Sequence, residues 1–132
     1  MIDFSAIEEE LVTRIGTGFG FISQETGRIR ELVPITRMPS LDVSAQGHET
    51  KEDASRTYRV PVIAVIRRKG VDRTDNADAF KVLVEQVCDR LEGYKGASFD
   101  VIRELASQLF EEVGGDGAMV RSVVIRFVVL AH

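Results

Sequence analysis

The chain has 132 residues, of which 44% are hydrophobic and 29% are charged, and its formal net charge is -4. A chain of this length forms one domain and buries roughly two thirds of its unfolded surface. The acidic balance argues against a nucleic-acid-binding domain, because such domains usually carry a basic stripe on one face.

Targeting signals and cysteine content indicate where the protein works. No apolar run approaches the roughly 18 residues of a membrane span, and no signal peptide begins the chain. The single cysteine, Cys88, cannot form an internal disulfide, which fits a reducing compartment. We therefore expect a protein that is made and kept in a cytoplasm, with no membrane partner.

The first 39 residues predict one helix and then a segment without a regular pattern. Residues 2–15 form an amphipathic helix that ends at Gly16. Its apolar face carries Phe4, Ile7, Leu11 and Ile15. Residues 17–39 contain short apolar pieces separated by glycines, which favours either a short hairpin or an extended arm.

Two strands joined by a polar loop are predicted in the middle of the chain. Residues 40–46 follow Pro39 and alternate Leu41, Val43 and Ala45 with polar residues. Residues 47–55 are polar throughout and form an exposed turn or loop. Residues 56–69 then form the long strand around which the domain is organised. One face of it is continuously apolar and should carry the helices: Tyr58, Val60, Val62, Ala64 and Ile66.

The opposite face of this long strand predicts a partly covered surface. It is charged at its ends and apolar at Ile63 and Val65, so another sheet or another subunit should cover its centre. Pro61 has no backbone N–H to donate, which predicts an edge strand or a bulge. An open edge of this kind has to be covered, and pairing with a second chain is one way to do so.

Two helices and a closing strand are predicted in the second half. The first helix spans about residues 76–92 and its apolar stripe is Phe80, Leu83, Val84, Val87, Cys88 and Leu91. The second spans about residues 98–113, and its stripe is Ile102, Leu105, Ala106, Leu109, Phe110 and Val113. Residues 118–130 are apolar at nearly every position, as in a strand that is covered on both faces.

These elements predict the fold class. The order is helix, irregular segment, two strands, two helices and a strand, so the alternation of strands and helices that a doubly wound fold needs is not sustained. We expect one α+β domain over residues 1–132. Its mainly antiparallel sheet would have about four strands, with the two central helices on one face and the N-terminal helix beside them.

The sequence predicts no catalytic residue, no metal site and no cofactor. The glycines of residues 16–20 follow a helix, whereas a phosphate-binding loop opens one. The three aspartates of residues 72–78 begin a helix, where the dipole favours anions, and they lack the ligand spacing of a calcium loop. Cys88 lies on an apolar stripe, and neither His48 nor His132 is placed in sequence to act as its base.

The polar loop between the two middle strands is the candidate contact surface. Exposed loops between strands often carry interaction residues. The candidate partner contacts are His48, Glu49, Lys51, Glu52 and Asp53. The alternative, a loop that is disordered in the isolated chain, stays open.

The arrangement resembles the tail terminator, or tail-completion, proteins of long-tailed phages, which include the lambda-type family and its relatives in Mu-like prophages. The features that carry the resemblance are the helix at residues 2–15, the strand in Met-Pro-Ser-Leu-Asp-Val-Ser-Ala-Gln-Gly at 38–47, and the strand Tyr-Arg-Val-Pro-Val-Ile-Ala-Val-Ile at 58–66. A helix and a closing strand follow, so the match in pattern covers almost the whole chain. The chain departs from the lambda-type pattern at Tyr58, where a tryptophan often stands.

The resemblance implies a structural role without an active site. Proteins of that family form a hexameric ring that docks on the last ring of the tail tube, stops tube polymerisation and offers a surface to the head connector. The resemblance therefore implies a homo-oligomer whose partners are a tail-tube protein and a head–tail connector protein, located in the virion tail. Two alternatives stay open, a head–tail joining or neck protein and a small enzyme or ligand-binding module with a cleft between sheet and helices.

Overall fold

In a computed structural model, the chain folds into helices packed on one face of a mixed sheet. The structure describes residues 2–47, 49–50, 57–70, 75–102, 105–113 and 119–132. The helices are α1, Phe4–Gly16, and α2, Asp75–Leu91. The described strands are β1, Ser23–Thr26; β2, Ser40–Ala45; β3, Glu49–Thr50; β4, Tyr58–Gly70; β5, Phe99–Val101; β6, Ala106–Val113; and β7, Met119–Ala131. A single 3-10 turn spans Ile35–Arg37.

The sheet is mostly antiparallel, which confirms the predicted class while correcting the strand count. Its order is β1-β2-β4-β7-β5, with β3 also on β4 and β6 also on β7, so the described residues form seven strands instead of about four. Only the β1–β2 pair among these described strands is parallel. Both β4 and β7 are 13 residues long, and they pair from Tyr58 with Ala131 to Gly70 with Met119.

The hydrophobic core lies between one face of the sheet and the helices. The apolar face predicted for the long strand is confirmed from Val60 to Ile66, since each of its side chains there is at most 1% exposed. The helices contribute Ile7, Leu11, Ile15, Phe80, Val84, Val87 and Leu91 to the same core. Each such side chain contributes about 1.5–3 kcal/mol when it is buried. Glu8 is also buried on α1, where its Oε2 accepts a hydrogen bond from the backbone N–H of Ala45 at 2.8 Å.

The predicted helix at residues 98–113 is wrong. Residues 99–101 and 106–113 are the strands β5 and β6, and both pair antiparallel with β7. The physical reason is tertiary. On its side away from β4, β7 needs hydrogen-bonding partners for its backbone, and the neighbouring segment of chain supplies them. The sheet therefore carries one central helix, α2, beside α1 within the described residues.

The predicted edge position of the long strand is also wrong. β4 lies inside the sheet, with β2 and β3 on one side and β7 on the other. Pro61 stands at the gap between the residues of β4 that pair with β2 and those that pair with β3. At that gap its carbonyl accepts a hydrogen bond from the N–H of Gln46 at 2.8 Å. The missing donor of Pro61 therefore interrupts no strand ladder.

The irregular segment before β2 forms an edge strand and a strap. β1 runs parallel to β2, so the predicted short hairpin is not formed. After β1, residues 27–37, which we call the strap, cross the face of the sheet opposite the helices. The hydroxyl of Ser23 donates to the carbonyl of Arg37 at 2.9 Å, and the hydroxyl of Ser44 donates to the carbonyl of Gly27 at 3.3 Å. The sequence predicts that another sheet or another subunit covers part of this face, whereas the structure places a segment of the same chain there.

Candidate interaction surfaces

A buried carboxylate holds the strap on the sheet. Asp42 is 0% exposed, and its two oxygens accept hydrogen bonds from the backbone N–H of Arg30 at 3.1 Å and from Nε of Arg30 at 2.7 Å. Nη1 of Arg67 donates to the same carboxylate at 2.8 Å. Nη2 of Arg67 also donates to the carbonyl of Arg30 at 2.6 Å. We call Arg30, Asp42 and Arg67 the clamp.

The clamp fixes the position of the strap because two guanidinium groups share one buried carboxylate. An ionised carboxylate away from water is costly unless it is paired and hydrogen-bonded, and two guanidinium groups provide both. Bidentate and charge-assisted contacts also fix geometry more tightly than neutral ones. The strap therefore presents a defined outer surface, at which the side chain of Leu32 is 89% exposed.

The edge of the sheet farthest from β1 is the second surface. The side chains of residues 106–111 are all exposed, and they include two large apolar ones, Leu109 at 47% and Phe110 at 37%. Leu109 lies on the face that carries the helices and Phe110 on the other, since they pair with Val123 and Ser122. Apolar side chains therefore project from both faces of an edge strand.

Among the residues that the structure describes, the backbone of β6 has a partner strand on one side, β7. The carbonyl of Val128 accepts from the N–H of Ile102 at 2.9 Å, so the polar groups of Val128 point away from β4. The alternation of an antiparallel ladder then directs the N–H groups of Ala106, Gln108 and Phe110 toward β7. The same alternation directs those of Ser107 and Leu109 outward. A second strand could form hydrogen bonds with these outward groups.

A third cluster joins the carboxyl ends of the two helices. Nη1 of Arg90 donates to the carbonyls of Ile15 and Thr17 at the end of α1, and its guanidinium lies 4.1 Å from the ring centroid of Phe19. Nε of Arg14 donates to the carbonyl of Arg90 at 3.0 Å. Cations at helix carboxyl ends are favoured by the helix dipole. The described contacts of this cluster therefore explain how the helices are held together.

Among the described residues, Cys88 and Tyr94 have a raised pKa. Burial, followed by the negative charges of Asp89 and Glu92, raises the pKa of the Cys88 thiol, so the thiol stays protonated and is a weak nucleophile. Burial, followed by the carboxylate of Glu10, raises the pKa of Tyr94. The Tyr94 hydroxyl lies 3.3 Å from Oε1 of that carboxylate and donates a hydrogen bond to it.

The ranges that the structure describes hold neither a metal-binding cluster nor a helix able to span a membrane. Within them, no three histidine, cysteine or carboxylate side chains are grouped so as to hold a metal ion. In the same ranges, neither α1 nor α2 combines the length and the apolarity that crossing a bilayer requires.

The loop predicted as the partner contact lies mostly outside the described residues. His48, Lys51, Glu52 and Asp53 all fall there. Glu49 is described only in its backbone, as the first residue of β3, where it pairs with Arg59. The contact therefore stays a prediction.

Sequence reasoning missed both the clamp and the open edge. Asp42 lies between Leu41 and Val43 in an alternating strand, and this pattern normally indicates a solvated polar face. One feature of the sequence could have indicated the strand that forms the open edge. Residues 118–130 predict a strand covered on both faces, and such a strand in a sheet usually has a neighbour on each side.

Comparisons with known proteins include a distant structural likeness. No protein-family model and no curated protein matches the sequence. A chain in a structure described as "Virion of native gene transfer agent (GTA) particle" matches with a TM-score of 0.46 and 12% sequence identity. The match covers 92% of this chain and 84% of that one. At this identity and TM-score the likeness supplies no argument about function.

Proposed function

We propose that this chain is a structural subunit of a phage-type tail, which caps the tail tube as a ring, ends its polymerisation and offers a surface to the head connector. The observation that carries the proposal is the pair of open edges at opposite ends of one sheet, each flanked by exposed apolar side chains. Leu109 and Phe110 lie at one edge, Ile22 immediately precedes β1 at the other, and Leu32 is exposed on the strap.

Open edges of this kind suit a protein that is completed by other subunits. Monomeric proteins usually shield an edge strand with charges, prolines, bulges or a covering segment, because an exposed flat edge promotes association. β6 is eight residues long and carries none of these devices at Ser107, Gln108 and Leu109. Exposed apolar side chains beside unpaired backbone are a common mark of a protein–protein contact.

The element order supports the same assignment. The tail terminator resemblance rests on a helix, an irregular segment, a strand after Pro39, a polar loop, a long strand, a helix and a closing strand. The structure has these parts as α1, the strap, β2, β4, α2 and β7. The additional strands β5 and β6 enlarge the sheet, and a larger sheet provides more surface for neighbouring subunits.

The proposal extends to partners and place of action. The ring would be a hexamer in the virion tail, assembled in the cytoplasm of a bacterial host. The loop that holds His48, Glu49, Lys51, Glu52 and Asp53 would face an axial partner, either the tail-tube protein or the connector protein. The molecule would act through its shape and its surfaces, without turnover of a substrate and without a cofactor.

Tube capping tests the proposal directly. The purified chain is mixed with the tail-tube protein from the same genome during tube polymerisation, and tube lengths are measured by electron microscopy. We expect shorter tubes with extra density at one end, together with co-sedimentation of the chain with the tubes. Binding to the connector protein alone, with tube length unchanged, would favour a head–tail joining protein. Binding to neither protein would refute the proposal.

A further inference from the structure

We infer that the two open edges bind each other, so that the β1 edge and strap of one copy dock on β6 of the next copy, head to tail. This inference rests on the proposed function, because it specifies how ring subunits would join. It names the surface and the partner, a second copy of this chain.

The backbone of β6 favours a strand as its occupant. The outward N–H and C=O groups of Ser107 and Leu109 have the spacing that only an extended segment matches along several residues. A segment added there would continue the sheet beyond β7. The β1 strand of a second copy is such a segment, since it is extended and pairs with one neighbour, β2, among the described strands.

Apolar side chains at the two edges would be covered together. Leu109 and Phe110 flank one edge, while Ile22, 61% exposed, immediately precedes β1 and Leu32, 89% exposed, lies on the strap. Burying a side chain of this size contributes about 1.5–3 kcal/mol relative to leaving it in water. Each edge therefore carries the type of surface that the other would cover.

A contact between two different surfaces of one chain repeats until it closes. Such heterologous contacts generate rings when the rotation between copies closes, and filaments when it does not. A symmetric contact of β6 with β6 would stop at a dimer. The head-to-tail contact is therefore the one that can build a ring.

Cysteine cross-linking distinguishes these arrangements. In a Cys88→Ala background, Gln24→Cys is placed on β1 and Ser107→Cys on β6. Both positions are exposed, and both lie on the face that carries the helices, since they pair with Leu41 and Ile125. With a short bis-maleimide, we expect cross-linked dimers when the two variants are mixed, little product from either variant alone, and a ladder of multimers from the double variant.

A second pair of variants tests the edge without cross-linking. Ser107→Pro removes an outward N–H but none of the hydrogen bonds to β7, whereas Ser107→Thr keeps that N–H. We expect Ser107→Pro to weaken self-association at least roughly tenfold, which corresponds to 1.4 kcal/mol, and Ser107→Thr to leave it unchanged. Likewise, Leu32→Ser should weaken self-association and Leu32→Met should preserve it. Circular dichroism and thermal unfolding verify that each variant is folded.

The outcomes separate this inference from the proposed function. Cross-linking of Ser107→Cys alone, as efficiently as the mixture, would show symmetric pairing and overturn the inference. Failure of the mixture to cross-link would overturn it as well, whether or not the unmodified chain caps tubes. If the chain caps tubes in that case, the proposed function stands with a different contact. A ladder of multimers that leaves tube length unchanged would instead support the edge pairing and refute the capping role.

Discussion

The clamp gives the most direct test of how the strap is held. In Asp42→Asn the negative charge is lost, while the shape of the side chain is nearly kept. Two guanidinium groups, Arg30 and Arg67, would then lie next to each other without their shared carboxylate. The two arginine side chains are only 16% and 14% exposed, so water can replace little of the ion pairing that the carboxylate provides.

The expected loss of stability is large. Removing one partner of a buried ion pair costs about 3–5 kcal/mol, and the slight exposure of the two arginines places the expected loss near the lower end of that range. For a chain of this size, a loss of about 3 kcal/mol lowers the melting temperature by about 10 °C. Chemical denaturation monitored by circular dichroism measures the free energy of unfolding.

A local assay separates loosening of the strap from global unfolding. Trypsin cleaves after arginine, and the strap contains Arg28, Arg30 and Arg37. Release of the strap should therefore accelerate cleavage at these sites at temperatures where the domain stays folded. Mass spectrometry of the fragments identifies the sites.

A surface ion pair provides the matched control. Glu25 lies 3.6 Å from Arg28, with exposures of 37% and 73% for the two side chains. Glu25→Gln should change the free energy of unfolding by less than about 0.5 kcal/mol. The reasoning is refuted if Asp42→Asn behaves like this control, with unchanged stability and unchanged tryptic cleavage of the strap.

Three further predictions concern the core, the loop and an ionisable group. Val62→Asp should prevent folding, as judged by circular dichroism, because Val62 is 1% exposed and a lone buried charge is costly; a folded, monodisperse variant would contradict this. Reversing the charges of Glu49, Glu52 and Asp53 should leave the melting temperature unchanged but impair tube capping, and normal capping would exclude the loop as a contact. The raised pKa of Tyr94 means that the folded state holds the phenolic proton more tightly than the unfolded state does. This contribution to stability is full below the ordinary tyrosine pKa of 10.0 and is lost as pH rises through the raised value. Tyr94→Phe should therefore reduce the loss of stability in that alkaline range, and an identical pH profile would argue against it.

The sequence predicts much of the first and last parts of the fold. Five elements lie close to their predicted positions: α1, β2, β4, α2 and β7. In four of them the apolar residues recur with a clear period, which is 3.6 residues in the helices and 2 residues in β2 and β4. These periods reflect one face packed on the core. For such elements, local pattern and tertiary packing select the same structure.

The error at β6 has a physical origin. Leu105, Leu109 and Phe110 recur at helical spacing, yet both faces of β6 are exposed, so no buried face imposes a period of two. Hydrogen bonding to β7 along the whole strand decides the structure instead. That pairing joins distant residues, and no local pattern reports it.

Local sequence patterns could not predict the candidate surfaces either. The burial of Asp42 depends on Arg30 and Arg67, which approach it from the strap and from β4. The open state of β6 depends on strand order. Both features follow from contacts between separate parts of the chain, so they cannot be predicted from the pattern of consecutive residues.

The pairing of β6 with β7 also affects when the sheet is completed during synthesis. β6 emerges before β7, and β7 is its one partner among the described strands, so β6 cannot take its place in the sheet until β7 has been synthesised. If β6 binds a neighbouring copy as inferred above, the nascent chain would therefore acquire this binding edge only after β7 has been synthesised.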